Sequence, residues 1–537
     1  MKTGKRESDC LFLGLDSSTQ GLKACVVDHN LKVVYEGAVN FDAELPEFKT
    51  EGGVHRHPDG LTVTSPAIMW VAALDRLLQK MKDAKCPIGR ISALSGSGQQ
   101  HGSVWMKKAA RRALRQLDAR RALREQMEGV FSVADSPIWM DSSTSRQCAE
   151  RERALGGPQA VADLTGSRAY ERFTGNQIAR IFQERPAAYE ATDRIALVSS
   201  FVASLLVGDY VPIDASDGSG MNLMDLRRKA WDRVALDCTA PGLGARLGPI
   251  VLSHAVIGKI HGRYVEGLGF DANCLAVAFS GDNPCSLAGL RLQRAGDIAI
   301  SLGTSDTVFG SLAEPRPSAT EGHIFANPVD PAAYMAMVCY KNGSLTRESV
   351  RDQSAGGAWD TFNGLLDTTP AGNEGRIGFY IKEPEITPPI LKTGTFRFNG
   401  AGEKVDSFPP EADVRAVLEG QFLSMRLHGA HIGLKPSSIL ATGGASANRS
   451  IIGVMANVFG VPVYVGEQPN SAASGAAYRA LHGWKCADHG SFVPFDKALS
   501  ATAPFKRAAE PDKKAHAVYS AMLERYAGLE KQVIGRQ

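Results

Sequence analysis

Several common signatures are missing from this 537-residue sequence, and each absence excludes a class of protein. The nine cysteines are odd in number, scattered, and never spaced as a Cys-x-x-Cys pair, so neither a disulfide framework nor a zinc knuckle is indicated. No Walker phosphate loop of the form Gly-x-x-x-x-Gly-Lys-[Ser/Thr], no Gly-x-Ser-x-Gly elbow and no His-Glu-x-x-His pair occurs. The commonest hydrolase and zinc-protease signatures are therefore excluded, and any phosphate cradle must be of another kind.

The sequence also lacks a large net charge and a long apolar run. The balance of 60 Lys and Arg against 57 Asp and Glu gives +3, which supplies no global field for nucleic acid or an anionic membrane. The longest apolar stretch, residues 195–207, contains three serines and falls short of the roughly 18–20 residues that span a bilayer. It predicts a buried helix. The scattered cysteines favour a reducing cytosol, and residues 11–15 are too short for a secretory signal. We therefore expect a cytoplasmic protein without a membrane partner.

One segment, residues 107–124, is strongly basic and carries eight Lys and Arg side chains. A nucleic-acid-binding helix is one interpretation, but no aromatic stacking residues are interleaved and the remaining chain is near neutral. The sequence favours a solvated helical insertion, and no nucleic-acid partner is expected.

The order of predicted elements repeats in the two halves of the chain. In the first half, three strands near residues 11–15, 22–27 and 32–39 precede a helix at 67–81 and a strand at 91–94. In the second half, the predicted elements are strands at 297–302, 307–312, 439–442 and 461–465 and helices at 449–459 and 471–481. We interpret this as a degenerate duplication, two related α/β domains facing one another across a cleft, with domains at 1–288 and 289–537.

Three turns rich in glycine and hydroxyl groups end predicted strands: residues 16–21, 303–306 and 443–448. Such turns offer backbone N–H groups and hydroxyls to phosphate oxygens, and Asp16 at a strand end could hold a metal ion or its waters. Ordinary turn chemistry is the alternative for each turn taken alone. Three of them together favour a phosphate-binding function.

The segment Ser280-Gly-Asp-Asn283 follows an apolar run and offers a candidate base. Asp282 is placed to accept a proton from a hydroxyl nucleophile and Asn283 to orient the substrate; helix capping by the aspartate is the alternative. His101 could hydrogen-bond a polyol or be an ordinary core histidine. Arg168 and Arg172 would share a face if their segment is helical, and two solvated cations are the alternative.

With these residues in view, the chain resembles the FGGY family of carbohydrate kinases, most closely its animal-type branch acting on xylulose. The resemblance runs from about residue 11 to 484 and rests on long motifs: Leu15-Asp-Ser-Ser-Thr-Gln20, Leu94-Ser-Gly-Ser-Gly-Gln-Gln-His-Gly102, Trp139-Met-Asp-Ser-Ser143, Thr165-Gly-Ser-Arg-Ala-Tyr-Glu-Arg-Phe-Thr-Gly-Asn176, Asp217-Gly-Ser-Gly-Met-Asn222, Gly281-Asp-Asn-Pro284, Ser301-Leu-Gly-Thr-Ser-Asp306 and Ala441-Thr-Gly-Gly-Ala-Ser446.

This resemblance implies the fold of actin-like ATPases, with two ribonuclease-H-like domains around a central cleft. The N-terminal domain would bind sugar and the C-terminal domain ATP. It also implies roles for particular residues: Asp282 as general base, Asp16 near Mg²⁺ and the phosphates, and His101, Arg172, Asp282 and Asn283 as sugar contacts. The implied ATP contacts are Gly303, Thr304, Trp359, Gly443, Gly444, Ala447 and Asn448.

The implied activity is transfer of the γ-phosphoryl group of ATP to the C5 hydroxyl of D-xylulose, with Mg²⁺ as cofactor. Another ketopentose or polyol, such as L-xylulose, ribulose or glycerol, is the alternative substrate. A catalytically inactive sugar-binding relative and an actin-like or chaperone-like nucleotide switch are alternatives from other classes. A monomer or a homodimer is expected.

Overall fold

The computed structural model describes residues 6–466, 470–499 and 505–535, which pack as two compact units that are discontinuous in sequence. Unit 1 comprises Met1–Gln293, Ile324–Tyr334 and Pro469–Ala503; unit 2 comprises Arg294–His323, Met335–Gln468 and Pro504–Gln537. The division into domains 1–288 and 289–537 stays a prediction, because units defined by packing need not follow chain order.

The central sheet of unit 1 is built from seven strands: Leu11–Ser17 (β1), Gly21–Asp28 (β2), Val33–Asn40 (β3), Ile91–Gly98 (β4), Val256–Lys259 (β5), Leu275–Val277 (β6) and Ser280–Gly281 (β7). Their order across the sheet is β3-β2-β1-β4-β6-β5, and β7 also pairs with β4. β1 is antiparallel to β2 and parallel to β4. The carboxyl ends of β1, β4 and β7 therefore meet at one edge.

Six strands of unit 2 belong to a seven-stranded sheet: Asp297–Leu302 (β8), Asp306–Leu312 (β9), Tyr334–Tyr340 (β10), Ser438–Thr442 (β11), Val463–Val465 (β12) and Lys506–Ala509 (β13). Their order is β10-β9-β8-β11-β12-β13. β8 is antiparallel to β9 and parallel to β11, β11 is parallel to β12, and β12 is antiparallel to β13.

The two sheets share this strand order and the sense of the corresponding pairs. In unit 1, β1 and β2 are antiparallel, β1 and β4 parallel, β4 and β6 parallel, and β6 and β5 antiparallel. This is the sequence of pairings found from β9 to β13 in unit 2. The duplication predicted from the repeated element order is confirmed.

Helices cover both sheets. Those of unit 1 are Phe41–Glu44, Ala67–Asp83, Lys108–Arg115, Leu123–Gln126, Ser145–Ala154, Pro158–Thr165, Thr174–Glu184, Pro186–Glu190, Val198–Val207, Ala215–Gly218, Arg233–Asp237, Leu243–Leu247, Gly262–Leu268, Asp282–Gly289, Ser471–His489 and Phe495–Ala498. Those of unit 2 are Ser344–Ser354, Trp359–Asp367, Pro410–His431, Arg449–Phe459 and Lys513–Ile534.

Short strands complete the two units. Unit 1 holds His55–Arg56, Val63–Pro66, Ser103–Lys107, Phe131–Val133, Asp135–Pro137, Thr192–Leu197, Ile213–Asp214, Met224–Asp225, Ala230–Trp231 and Ile250–Val251. Unit 2 holds the three-stranded sheet Ile377–Ile381, Gly394–Phe398 and Lys404–Val405. Along the sequence, the division between the units falls within the strand His323–Ala326.

The helix Ala67–Asp83 was predicted from apolar residues spaced by three and four positions. Val71, Leu74, Leu78 and Met81, spaced by three and four residues, are all buried. One apolar stripe of a 3.6-residue period therefore faces the core, as predicted.

The alanine-rich helix Ser471–His489 corrects one expectation, because it belongs to unit 1 and not to the second half of the duplication. It lies directly against β1: a Cβ on Gly14 would come within 2.0 Å of the Ala473 carbonyl oxygen. It approaches helix Asp282–Gly289 as closely, since a Cβ on Gly475 would lie 1.8 Å from the Cys285 carbonyl. Only glycine allows these contacts.

Residues 195–207 were expected to form one buried helix. The prediction was wrong for residues 195–197 and is confirmed for the rest. Thr192–Leu197 is a strand that pairs antiparallel with Ser103–Lys107, and the helix begins only at Val198. Short apolar runs do not distinguish a strand from a helix by periodicity, and strand pairing decided this one.

The basic segment is partly helical. Lys108–Arg115 forms a helix, and Leu123–Gln126 forms one further turn. Arg111 and Arg115 both pair with Asp209, at 2.9 and 2.6 Å, on the exposed surface. The expected solvated helix is therefore confirmed over Lys108–Arg115, although Lys107 ends a strand. That the segment is an insertion stays a prediction.

All nine cysteines are free thiols, as the spacing indicated. Within the part of the chain that the structure describes, no helix is both long and apolar enough to cross a bilayer.

Candidate functional site

Polar side chains gather where β1, β4 and β7 end together in unit 1. The strand registers place Asp16 of β1 opposite Ser97 of β4, and Ser97 opposite Ser280 of β7. Parallel neighbours bring their carboxyl ends to one edge, which is where ligands bind in open α/β sheets. The turn predicted to bind phosphate thus lies beside the segment that carries Asp282.

Asp16 is buried and accepts a 2.7 Å hydrogen bond at Oδ1 from the Ser97 hydroxyl. Burial raises the pKa of this carboxyl, and the Ser97 hydrogen bond and the charge of Lys23 oppose the shift. Oδ2 accepts no hydrogen bond from the residues described. One oxygen is therefore anchored, and the other is left for a cation or its water.

Asp282 begins the helix Asp282–Gly289 and follows Gly281, which is the N-cap residue. Asp282 is therefore not the capping residue. Its side chain accepts hydrogen bonds from its neighbour Asn283, at 2.8 Å from the backbone N–H and at 3.2 Å from the side-chain amide. Burial, and next to it the negative charge of Asp16, raise the pKa of Asp282 to about 7. A carboxylate with a pKa near neutrality is suited to accept and return a proton.

Asn283 is joined to the segment that carries His101. Its side-chain amide donates a 2.9 Å hydrogen bond to Oε1 of Gln100. The Gln100 side chain lies against Gly281, where a Cβ would come within 2.4 Å of it. Sequence analysis did not single out Gln100, although it stands inside the quoted Gly-Gln-Gln-His motif.

His101 is buried and has a backbone φ of +69°, in the left-handed region that few side chains adopt. Its Nδ1 lies 2.8 Å from the Gly220 carbonyl and its ring stacks on Phe173 with centroids 4.4 Å apart. Burial and the charge of Arg172 lower the pKa of His101 to about 3. The ring is neutral, Nδ1–H donates to Gly220, and Nε2 is therefore an acceptor available to a ligand.

Arg172 lies near His101 because both contact Phe173. A helix was one expectation for the segment that carries Arg168 and Arg172, and the structure shows none there. The Arg172 guanidinium lies 5.9 Å from the centre of the Phe173 ring and 5.3 Å from that of Tyr170. Arg168 is instead held by Glu152, with two hydrogen bonds of 3.0 and 3.1 Å. The two arginines are therefore neither helix partners nor free cations, and only Arg172 joins His101.

Around these residues several buried polar atoms have no hydrogen-bond partner in the described part of the chain. They are Ser17 Oγ, both amide atoms of Gln99, Gln100 Nε2, Asp217 Oδ1 and Ser280 Oγ. Unpaired buried polar groups cost about 1–3 kcal/mol each, so such a cluster indicates a polar ligand or ordered water. A molecule with several hydroxyl groups matches this mixture of donors and acceptors.

Asp217 is a second residue that sequence reasoning did not assign. It accepts a 2.5 Å hydrogen bond from Ser199, and burial raises its pKa well above the usual value. A Cβ on Gly281 would lie 2.9 Å from its free Oδ1. The signal in the sequence was the family motif Asp217-Gly-Ser-Gly-Met-Asn222, in which Asp217 is the first residue.

Unit 2 contains a cavity of about 660 Å³ beside the turns predicted to bind nucleotide. A ligand pocket typically encloses roughly 300–1,000 Å³. Six of the predicted residues line it: Gly303, Thr304, Trp359, Gly444, Ala447 and Asn448. Gly443 does not line the cavity. Its φ is +82°, and a Cβ at this position would come within 2.4 Å of the Leu302 carbonyl oxygen, so the turn requires glycine.

Two of the lining residues are held by specific contacts. Asn448 caps the helix Arg449–Phe459, accepting from the N–H groups of Ser450 and Ile451 at 3.0 and 3.2 Å. The indole of Trp359 has the Arg351 guanidinium 4.9 Å from its centre. The cavity thus combines a helix N-terminus with an aromatic face, which suits a phosphate at one end and a planar base at the other.

Arg347, which lines this cavity, forms a buried ion pair with Asp306. Both guanidinium Nη atoms of Arg347 donate to the two carboxylate oxygens of Asp306, at 2.6 and 3.0 Å, and both side chains are 0% exposed. Gln421 accepts a further hydrogen bond from Nη1 at 2.9 Å. Arg347 was missed because its partner lies 41 residues away in the sequence.

Solved structures of sugar kinases share this fold. A xylulose kinase from Rhodospirillum rubrum superposes with a TM-score of 0.79, covering 97% of this chain and 99% of its own, at 18% identity. At that identity the likeness shows the fold alone. The fold is that of the actin-like ATPases, and the predicted fold class is confirmed.

Family models match both halves: the N-terminal domain of the FGGY family of carbohydrate kinases at residues 133–289, and its C-terminal domain at 298–484. The xylulose kinase of Mus musculus is 52% identical over 97% of this chain and 94% of its own length. Xylulose kinase 2 of Arabidopsis thaliana is 51% identical over 90% of this chain and 89% of its own. This chain belongs to the FGGY family of carbohydrate kinases, as its motifs predicted.

Proposed function

We propose that this protein is a xylulose kinase, which transfers the γ-phosphoryl group of ATP to the C5 hydroxyl of D-xylulose. The observation that carries the proposal is Asp282, a half-buried carboxyl with a pKa of about 7 placed beside Asp16 at the end of the sheet. The names of relatives more than 50% identical support the sugar.

The sugar binds among His101, Arg172, Asp282 and Asn283. Nε2 of His101 accepts a hydrogen bond from a sugar hydroxyl, because Nδ1–H is committed to Gly220. The guanidinium of Arg172 donates to sugar oxygens. Oδ1 of Asn283 accepts from a sugar hydroxyl, because both N–H groups of this amide already donate to Gln100 and Asp282. The unpaired buried atoms of Gln99 and Ser280 complete this polar floor.

Asp282 acts as general base. Its Oδ1 accepts from Asn283, which leaves Oδ2 to take the proton of the C5 hydroxyl while that oxygen bonds to the γ-phosphorus. The bond from phosphorus to the leaving ADP oxygen breaks in the same displacement, and the products are D-xylulose 5-phosphate and ADP. Phosphoryl transfer needs mainly positioning and charge neutralisation, so one base suffices.

Asp16 fits a magnesium ion, directly or through water, because its free carboxylate oxygen is the kind of ligand this cation prefers. When bound, Mg²⁺ neutralises charge on the transferring phosphates. The role of Ser97 is to hold Asp16 Oδ1 and so fix the direction of Oδ2.

ATP binds in the cavity of unit 2. The adenine lies near Trp359, and the phosphates approach the turns at Gly303–Thr304 and Gly443–Asn448, where backbone N–H groups and the helix N-terminus favour negative charge. Gly443 contributes by shaping the turn rather than by contact.

We also propose a cytoplasmic location, since nine free thiols suit a reducing compartment. A monomer or homodimer stays a prediction, and light scattering on the purified chain measures it directly.

A coupled assay of ADP release tests the function. D-xylulose, L-xylulose, ribulose and glycerol are compared with a blank that contains no sugar. We expect the highest kcat/KM for D-xylulose; equal turnover in the blank would contradict the proposal.

The variant Asp282→Asn tests the base. We expect kcat to fall by at least about 10²-fold, the usual contribution of such a group, with nucleotide affinity unchanged. Asp83→Asn, at the exposed end of the helix Ala67–Asp83, is the matched control. An Asp282→Asn variant as active as the control would remove the assignment.

A further inference from the structure

A cluster of histidine and glutamate side chains lies in unit 2, among residues that line no part of the nucleotide cavity. It consists of Glu321, His428 and His431, whose donor atoms all lie within 4.8 Å of one another. The two histidines are three residues apart on the last turn of the helix Pro410–His431, so they project from one face. Neither the family resemblance nor the proposed kinase reaction uses these residues.

The donor atoms converge on a single carboxylate oxygen. Glu321 Oε1 lies 3.0 Å from Nδ1 of His428 and 2.6 Å from Nδ1 of His431. Ligands about 2.0–2.1 Å from a tetrahedral zinc ion stand about 3.3 Å from each other. A cation among the three atoms would require the distance from Glu321 Oε1 to His431 Nδ1 to widen by about 0.7 Å and that to His428 Nδ1 by about 0.3 Å.

The far side of His428 is held by a second carboxylate. Its Nε2 donates to Glu530, 3.1 Å from each carboxylate oxygen. A metal-bound histidine characteristically gives its other N–H to a carboxylate, which orients the ring and makes it a better ligand. Here that contact is already formed with Nδ1 directed at Glu321.

Glu321 is oriented in the same way, because its other oxygen, Oε2, accepts a 3.1 Å hydrogen bond from the Ser318 hydroxyl. His428 and Glu530 are buried, whereas the His431 side chain is 49% exposed. The cluster thus has a rigid interior and one side open to solvent, which provides an entry path and an open coordination position.

We propose that Glu321, His428 and His431 bind a zinc ion, with Glu530 as the supporting carboxylate. Two imidazoles and one carboxylate form a recognised zinc ligand set, with water in the fourth position. The ion would join the segment before the strand His323–Ala326 to the helices Pro410–His431 and Lys513–Ile534. The ion would hold these three segments together and would take no part in phosphoryl transfer.

The test uses the full chain after removal of metal by chelation. Zinc is titrated in competition with a chromophoric chelator, and the visible spectrum of the Co²⁺-substituted protein reports tetrahedral coordination. We expect one zinc ion per chain at this site and a tetrahedral cobalt spectrum.

His431→Ala is the decisive variant because this side chain is exposed and its loss leaves the buried contacts intact. Zinc affinity should fall at least about tenfold, and Glu530→Gln should weaken it by about 10–100-fold. His489→Ala is the control: it removes another exposed histidine from the last turn of a helix, where its one hydrogen bond among the residues described is to Ser491.

A thermal melt supplies a second readout. Equimolar zinc should raise the unfolding midpoint of the wild type and of His489→Ala, and leave that of His431→Ala unchanged. Absence of saturable zinc binding, or equal affinity in His431→Ala and the wild type, would overturn the proposal. Because kinase activity of His431→Ala should equal that of the wild type, this test is separate from that of the proposed function.

Discussion

The side-chain amide of Asn283 donates a hydrogen bond of 2.9 Å to Oε1 of Gln100. It joins the segment that carries His101 to the first turn of the helix that begins with Asp282. Asn283 also donates to Asp282 Oδ1 at 3.2 Å. One amide therefore orients the proposed base and is itself held by Gln100, next to His101 in the proposed sugar site.

Replacement of Gln100 by methionine removes the acceptor but keeps the length of the side chain. An unpaired buried amide costs about 1–3 kcal/mol, so we expect the KM for D-xylulose to rise about tenfold or more. The kcat should stay within about twofold, because Asp282 retains the backbone N–H of Asn283. Steady-state kinetics measure both values. Gln79→Met, an exposed glutamine that binds only Asp83 among the residues described, is the control; matching KM values in the two variants would contradict the role of Gln100.

The pH profile of kcat/KM for the sugar should report the pKa of Asp282. Burial and the charge of Asp16 raise this pKa to about 7, and only the ionised carboxylate accepts a proton. Activity should therefore rise about tenfold per pH unit below about 7 and level off above it. A profile that is flat from pH 5 to 8 would show that this ionisation does not limit the reaction.

Trp359 should contribute aromatic contact to nucleotide binding. It lines the cavity of unit 2, and the Arg351 guanidinium lies 4.9 Å from the centre of its ring. Stacking on a base is worth about 1–3 kcal/mol, so Trp359→Ala should raise the Kd for ATP by about 5- to 150-fold. Calorimetric titration with a non-hydrolysable analogue measures this. Trp359→Phe should recover most of the affinity, and an alanine variant that binds like the wild type would place the base elsewhere.

The ion pair between Asp306 and Arg347 should be essential to the stability of unit 2. Removing one partner of a fully buried pair leaves an uncompensated charge and costs about 3–5 kcal/mol. Asp306→Asn should therefore lower the urea midpoint strongly. The control is Asp352→Asn, which breaks the pair with Arg351 at an aspartate that is 58% exposed, and should cost about 1 kcal/mol or less. Similar losses in the two variants would contradict the prediction.

His482 should make unit 1 sensitive to acid. The ring is buried among His254, Phe492 and Phe495 and bonds through Nε2 to the Val493 carbonyl at 2.7 Å. Burial lowers its pKa from the usual 6.5 to about 4. The unfolded chain therefore binds the proton first, so the stabilisation is present above pH 6.5 and is lost as the pH falls toward 4, by about 3 kcal/mol in all.

The variant His482→Gln keeps an N–H donor and removes the titration. Urea unfolding of both proteins at pH 7.5, 6 and 5 gives the difference in stability at each pH. This difference should shrink as the pH falls. A constant difference would show that His482 does not titrate in this range.

Much of the fold was predictable because its signals are local. The helix Ala67–Asp83 follows from apolar residues spaced by three and four, and the turns after β1 and β8 follow from glycine and hydroxyl groups at strand ends. The repeated element order predicted the duplication, and the shared strand order confirmed it. Residues 195–207 failed because their apolar run fits a strand and a helix equally well.

The candidate site also has a part that the sequence predicts and a part that it does not. Asp16, His101 and Asp282 stand in motifs that sequence reading isolates one at a time. The contact of Gln100 with Asn283, 183 residues apart, and the approach of Arg172 to His101 through Phe173 depend on how separate segments pack. No local pattern encodes such pairs.

By itself the sequence determined the classes of residue at each strand end, the internal repeat and the family, because periodicity and motifs arise from neighbours along the chain. Tertiary structure decided where the helix Ser471–His489 packs, which arginine meets His101, and that Glu321 joins two histidines more than 100 residues away. These outcomes depend on strand register and on close backbone approach at residues such as Gly14. They are long-range properties of packing, and they turn separate polar residues into a site.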